Sequence, residues 1–233
     1  MDIRQEFKGN QTVKHLIESL GIPHTEVDLI LANGSSVDFK YNPAEGDVIS
    51  VYPVFESFDI SPLIRLRPCP LRESRFVLDG HLGRLAVYLR MLGFDSLYRN
   101  DFSDEELALI SINENRILLS RDRGLLIRSL VTHGYLIITR DPRQQLLAVV
   151  RRFDLTSSFK QFSRCIVCNG KLESTSKEAV ITYLESKTLQ YFEEFKRCAE
   201  CEKVYWKGSH YERMIDFIDW VRKSSLNLVD KSI

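Results

Sequence analysis

The chain has no apolar run approaching the ~18 residues that a membrane span requires. Its first ten residues, MDIRQEFKGN, lack the basic, apolar and small-residue blocks of a signal peptide. A cytoplasmic protein with no membrane partner is the expectation. Formal net charge is zero, so there is no global basic signature for nucleic acid. G-x-S-x-G, H-E-x-x-H and P-loop motifs are also missing, which argues against nucleophile-elbow hydrolases, zincin proteases and Walker-type nucleotide binding. Internal repeats and low-complexity segments are absent. Cysteine is sparse, five in 233 residues, and a reducing compartment makes paired cysteines metal ligands rather than disulfides.

What is present is an ordinary globular composition, 44% hydrophobic and 27% charged, with length for one large domain or two to three small ones. The zero charge hides a split. Residues 1–60 carry 4 Lys+Arg against 10 Asp+Glu, a net of −6, and the remainder carries 28 against 22, a net of +6. An acidic head on a basic body suits a body that faces nucleic acid, although compositional drift produces the same figures. Residues 61–150 contain 13 Arg and no Lys, and Arg is the better phosphate fork.

Patterning separates the chain into segments. In residues 1–58, TVKHLIESLG reads as an amphipathic helix with Thr12 as N-cap and Gly21 as terminator. Strand-like EVDLILAN and SVDFKY follow, joined by the hairpin signal Asn33-Gly34, and then GDVISVYPVF alternates up to Pro53. The set suggests a small β-grasp module. Residues 59–74 are rich in Pro and Arg and read as a linker or strap, with Cys69 an inert thiol. From 75 to 157 apolar strands alternate with helices: RFVLD, HLGRLAVYLRMLG, SLYRN, SDEELALISINEN, RILLS, RDRGLLIRSLVTHG, YLIITR and DPRQQLLAVVRRF. Such alternation implies an α/β fold, a mostly parallel sheet with right-handed crossovers and helices on both faces. Ser103 and Glu106 form a capping box, and Pro142 occupies a first helical turn. Residues 158–223 hold two Cys-x-x-Cys pairs and a final helix with a second capping box expected at Ser209 and Glu212.

Ligands of open parallel sheets bind beyond the carboxyl ends of the strands. Asp79 ends the first strand of the α/β segment, Asp122 follows the third, and Asp141 follows the fourth. Asp104 and Glu105 open the helix after the second. Carboxylates gathered on one edge form a hard-oxygen site for Mg²⁺ or Mn²⁺, which can activate water and hold a scissile phosphate. Each acid also has a structural explanation: Asp104 and Glu105 favour a helix N-terminus, and Asp122 and Asp141 suit N-caps. Asp79 fits that explanation least, because it ends an apolar strand and precedes Gly80.

Cys165-x-x-Cys168 and Cys198-x-x-Cys201, 29 residues apart, have the form of two knuckles completing a tetrahedral Cys₄ zinc site. Four thiolates leave no open position, so the zinc is structural; two redox pairs are the alternative. The following KVYWKGSHYERM supplies Tyr205 and Trp206, which read first as residues packing the ribbon onto the main domain and second as stacking faces for bases. Lys207, His210 and Arg213 offer donors to phosphate. His15, His24, His81 and His133 read as surface or core residues, with His81 alone near the proposed acidic edge.

FVLDGHLGRLAVYLRMLGFD, DEEL, RILLSRDRGLL, the two cysteine pairs and YWKGSHYERM together resemble the Mut-seven C-terminal ribonuclease family over roughly 75–222. The resemblance implies a PIN-like nuclease fold with a C-terminal zinc ribbon, and it carries the family's acidic residues onto Asp79, Asp104 and Asp122. Asp141 rests on its position alone. SLGIPHTEVDLI and GDVISVYPVFE resemble the ubiquitin-like β-grasp domain often fused ahead of that family. That module is short of a first strand before its helix and lacks a Gly-Gly tail, which makes it a docking domain for a protein partner rather than a sulfur carrier. The expectation is therefore a Mg²⁺- or Mn²⁺-dependent ribonuclease with structural Zn²⁺. Asp79, Asp104, Asp122 and Asp141 are its catalytic acids, and Arg121, Arg123, Lys207 and His210 its RNA contacts. The alternative is a non-catalytic RNA-binding adaptor that uses the ribbon to bind and the N-terminal module to dock.

Overall fold

The computed structural model describes residues 3–6, 11–53, 63, 64, 66 and 74–226. Cys69 and most of the 59–74 strap lie outside the described residues. In chain order the elements are α1 (Val13–Ser19), β1 (Val27–Ala32), β2 (Ser35–Val37), β3 (Ile49–Pro53), β4 (Phe76–Leu78), α2 (Gly83–Leu92), β5 (Ser96–Tyr98), α3 (Asp104–Asn113) and β6 (Ile117–Ser120). There follow α4 (Arg123–Leu126), β7 (Gly134–Leu136), α5 (Pro142–Arg152), β8 (Leu172–Thr175), α6 (Ser186–Tyr191), β9 (Phe195–Cys198), β10 (Val204–Trp206) and α7 (Ser209–Leu226). The chain divides into two compact units, Met1–Glu73 with Asp101–Ile137, and Ser74–Asn100 with Ile138–Ile233.

In the first unit, the Thr12 hydroxyl accepts from the His15 N–H and starts α1. Val13 and Ile17 on its inner face are buried with Val27 and Ile30 of β1. The sheet runs β2-β1-β3 and is antiparallel throughout. Asn33 and Gly34 both have positive φ, 50° and 83°, as a two-residue type I′ hairpin requires. Among the described residues no strand precedes α1. In the same unit, α3 opens with the expected capping box between Ser103 and Glu106. β6, buried along its whole length, pairs in parallel with β7. The helix expected over RDRGLLIRSLVTHG is shortened to the four residues of α4. Leu125 and Leu126 are buried while Ile127 and Leu130 are exposed, and Val131 is fully buried, so packing at Val131 overrides the helical period. Its carbonyl accepts from His24 Nε2 at 3.0 Å, and Glu26 accepts from the Leu136 N–H at 2.7 Å. These bonds fasten the short helical turn before β1 to β7. The strand expected over YLIITR is likewise shorter.

In the second unit, β4 and β5 are parallel and α2 connects them. Leu82, Leu85, Ala86, Leu89 and Leu92 are all buried, the face that the 3.6-residue period specifies. Phe76 of β4 meets Phe94 and Phe153 edge to face at 6.0 and 5.9 Å. Asp141 caps α5, with Pro142 in its first turn. β8, β9 and β10 form an antiparallel sheet in the order β10-β9-β8. Ile218 and Val221 are the fully buried residues of α7, and Tyr211, Met214 and Ile215 are half-buried. The capping box expected at Ser209 does not form. Ser209 is already helical, and the Gly208 carbonyl accepts from the Tyr211 and Glu212 N–H groups. No helix among the described residues is long and apolar enough to cross a membrane.

Gly93 ends α2 at φ +98°, and a Cβ there would lie 2.1 Å from the Lys160 carbonyl oxygen. Gly93→Ala is expected to cost about 2–4 kcal/mol, combining left-handed strain with a backbone clash. A urea midpoint within experimental scatter of wild type would refute this.

Candidate functional site

Asp79 follows the last residue of β4 and is only 6% exposed. Its carboxylate accepts the His81 N–H at 2.8 Å, and exposed His81 places Nδ1 at 3.6 Å from the same oxygen. The adjoining Gly80 packs against the Asn100 backbone, whose carbonyl oxygen would stand 3.0 Å from a Cβ there, so the missing side chain admits that carbonyl. Asp141, in the same unit, is exposed and accepts the Arg143 N–H at 2.7 Å as the cap of α5. In the other unit Asp122 is exposed, stands two residues beyond β6 and caps α4 through the Gly124 N–H at 2.7 Å. Asp104, first residue of α3, is exposed, with an Arg128 nitrogen at 3.4 Å. Three of the four acids therefore have a capping role, and the fourth has a cation beside it. Burial separates Asp79 from the rest: it alone keeps a carboxylate away from water, a cost that a cap does not require.

The cationic candidates differ in availability. Arg121 and Arg123 are exposed beside Asp122, and the Arg123 guanidinium lies against Gly21, where a Cβ would come within 2.7 Å of it. Lys207 is ion-paired with Glu194. The bond raises the lysine pKa and lowers that of the glutamate, so an RNA phosphate would have to displace a carboxylate there. His210 is exposed in the first turn of α7.

The second constellation is geometrically complete. The Sγ atoms of Cys165, Cys168, Cys198 and Cys201 all lie within 4.8 Å of one another. Cys165 and Cys201 are 3.6 Å apart, and Cys168 and Cys198 are 3.4 Å apart. Four Zn–S bonds of ~2.3 Å in a tetrahedron set S···S near ~3.8 Å, so small shifts of the thiols bring them to the spacing the ion needs. The cluster can hold a structural zinc. Cys165 and Cys198 are buried and the other two exposed. Both knuckles turn at a left-handed residue just after their second cysteine, Asn169 at φ +74° and Glu202 at φ +61°. Gly170 is obligatory, because a Cβ would meet Glu200 Cγ at 2.5 Å and Cys198 Sγ at 2.7 Å. Backbone N–H groups of Glu200 and Cys201 point at Cys198 Sγ from 3.4 and 3.5 Å, and Tyr205 Oη lies 3.0 Å from Cys165 Sγ. Burial opposes ionisation of Cys165, but the Tyr205 hydroxyl and the neighbouring amides outweigh it and bring its pKa down to about 6.

Two residues that tie the knuckle to the α/β layer carry no motif in the sequence. Arg90 is 3% exposed and donates to the carbonyls of Ser96 at 2.9 Å and of Ile166 and Val167 at 3.3 and 2.8 Å. The Asn169 side chain accepts from Ser96 N–H at 2.9 Å and donates to Asp95 at 2.8 Å. The available signal for Arg90 was a cation directly after Leu89 on an otherwise apolar helix face. Arg90→Met is expected to cost about 2–4 kcal/mol by leaving buried carbonyls unpaired, and to speed zinc loss to a chromogenic chelator. Unchanged chelation kinetics would show that the arginine does not hold the knuckle.

Residues 74–218 match the family model described as the Mut7-C RNAse domain, and residues 1–59 match the one described as Mut7-C ubiquitin. No curated protein and no solved structure matches the chain.

Proposed function

The chain belongs to the Mut7-C RNAse domain family, and from that premise we propose that it hydrolyses RNA phosphodiester bonds with the help of Mg²⁺ or Mn²⁺, with Asp79, Asp104, Asp122 and Asp141 as its catalytic acids. The observation that carries the reading is Asp79, a buried carboxylate at the end of a wholly buried parallel strand. Parallel sheets bind ligands beyond those strand ends, and carboxylate oxygens are the donors that these cations take. Asp122 and Asp141 each commit one oxygen to a backbone N–H, which leaves the other to a metal. When bound, a divalent ion lowers the pKa of a coordinated water and offsets charge on the scissile phosphate. The chain's own contribution is to fix Asp79, Asp122 and Asp141 through their caps and Asp104 through Arg128, and to present Arg121 and Arg123 to flanking phosphates, with Lys207 and His210 contacting RNA on the ribbon.

The same proposal assigns residues 75–157 to a PIN-like domain and 158–223 to a zinc ribbon with its closing helix. Residues 1–58 become a β-grasp module for a protein partner, and 59–74 a linker. It places the protein in the cytoplasm, where thiolates stay reduced for zinc. A second reading, the RNA-binding adaptor, draws on the caps and on the Asp104–Arg128 pair, which give each exposed acid a structural use. The two separate in one assay. End-labelled single-stranded RNA should stay intact with the zinc-loaded protein alone and be cut when Mn²⁺ or Mg²⁺ is added. RNA that is bound in a salt-sensitive way but never cut would establish the adaptor.

A further inference from the structure

A cavity of about 430 Å³ opens in the second unit where the zinc-ribbon sheet meets the start of α7. Its volume falls within the roughly 300–1,000 Å³ of small-molecule sites, and neither the zinc centre nor the acidic residues account for it. Its walls are aromatic. The Phe162 and Tyr211 rings lie 4.7 Å apart and inclined at 39°, and Trp206, 38% exposed, lines the cavity with them. Phe162 is held at φ +52°, a left-handed conformation unusual for a bulky residue and typical of strain kept where a ligand is held. Its carbonyl accepts from Lys196 Nζ at 3.0 Å, and Lys196 lines the cavity too. The Trp206 indole is seated by Gly208, where a Cβ would press on Nε1 at 3.0 Å.

The polar groups narrow the occupant. Gln161, Ser174 and Thr175 line the same space, and among the described residues their side chains make no hydrogen bond. Uncommitted amide and hydroxyl groups between aromatic rings suit the edge and face of a heteroaromatic base. An aliphatic peptide side chain would leave them unsatisfied. Arg164, Lys196 and Lys207 stand around the lining with Glu193 and Glu194; Arg164 is paired with Asp95 and Lys207 with Glu194, so a phosphate-linked ligand gains Lys207 by displacing its carboxylate.

We propose that this cavity binds one unstacked base of a single-stranded RNA, with Trp206 and the Phe162–Tyr211 pair supplying the stacking faces. Gln161, Ser174 and Thr175 meet the base edge, and Lys196 and Lys207 meet the adjoining phosphates. The inference rests on the reading of the chain as an RNA enzyme and deepens it: the ribbon becomes a substrate clamp as well as a scaffold.

The chain has two tryptophans, so Trp220→Phe leaves Trp206 as the only indole. With zinc in place and no added divalent metal, a mixed-sequence single-stranded RNA of about ten nucleotides should quench Trp206 fluorescence to saturation. An abasic strand of equal length should not. By anisotropy of the labelled RNA, Trp206→Ala should weaken binding about tenfold, the scale of one stacked base, while Trp206→Phe keeps most of the affinity. Unchanged zinc content in both variants shows that the ribbon is folded. Equal quenching by the abasic strand, wild-type affinity in Trp206→Ala, or quenching by an apolar peptide in place of RNA would each overturn the proposal. The two readings fail separately. Intact quenching by a wild type that never cuts RNA removes the ribonuclease and leaves the base site. Cutting by a protein whose Trp206 ignores RNA does the reverse.

Discussion

Cys198→Ser is expected to strip the ribbon of its zinc and to unfold the sheet formed by β8, β9 and β10. These strands are three or four residues long, too short to stand alone as a sheet. Cys198 lies at their centre: it is buried, it ends β9, and it receives the amides of Glu200 and Cys201. Gly170 of the opposite knuckle closes on its sulfur. A serine hydroxyl is a poor replacement for thiolate toward zinc. Structural zinc contributes apparent binding energies of roughly 10–16 kcal/mol in small zinc modules, so losing one ligand removes more than such a small sheet can otherwise supply. Measured zinc should fall from about one per chain to near none, with lost protection of the 172–206 amides from hydrogen exchange. A variant that still holds zinc and protects those amides would mean that packing, rather than metal, builds the ribbon.

Asp79→Asn is expected to leave the fold intact and to reduce RNA cleavage by roughly 10³-fold or more, the equivalent of ~4 kcal/mol of transition-state stabilisation. The substitution separates the two uses of the residue. Asparagine is as good an N-cap as aspartate, so the bond from the His81 N–H survives. Removing a buried negative charge also relieves a desolvation cost. Stability should hold. What asparagine cannot supply is the anionic oxygen that a divalent ion needs. If Asp79 served only as a cap, the variant would cut RNA at the wild-type rate. Asp122→Asn and Asp141→Asn extend the same logic to exposed positions, where the cap is again preserved.

Legibility in the sequence followed the range of the interactions. Local signals were clear: the Thr12 cap, the Asn33-Gly34 hairpin, the Ser103–Glu106 box and Pro142 at the start of α5 each lie within a few residues of their partners. The Cys₄ cluster was readable because both knuckles are local and only their meeting is not. Errors arose where tertiary contacts prevailed. The segment RDRGLLIRSLVTHG read as a long helix, but the buried Val131 and its bond to His24, more than a hundred residues earlier in the chain, accompany an end after one turn. Ser209 had the composition of a cap, yet the Gly208 carbonyl already met the first amides of α7. Arg90 was opaque for the same reason, since its partners at Ile166 and Val167 lie 76 and 77 positions away. Within the acidic set, strand ends and a helix start located the residues and the sequence already set Asp79 apart, while its burial, beside three exposed acids that serve as caps or an ion-pair partner, came only from the fold.

The most direct test of the ribonuclease claim is a calorimetric titration of Mn²⁺ into zinc-loaded wild type and Asp79→Asn, with cleavage of labelled single-stranded RNA followed on the same samples. The account predicts Mn²⁺ uptake and cleavage together in wild type and loss of both in the variant, with zinc content and melting temperature unchanged. Wild-type protein that takes up no Mn²⁺ and leaves RNA whole, or a variant that binds and cuts as wild type does, would contradict it.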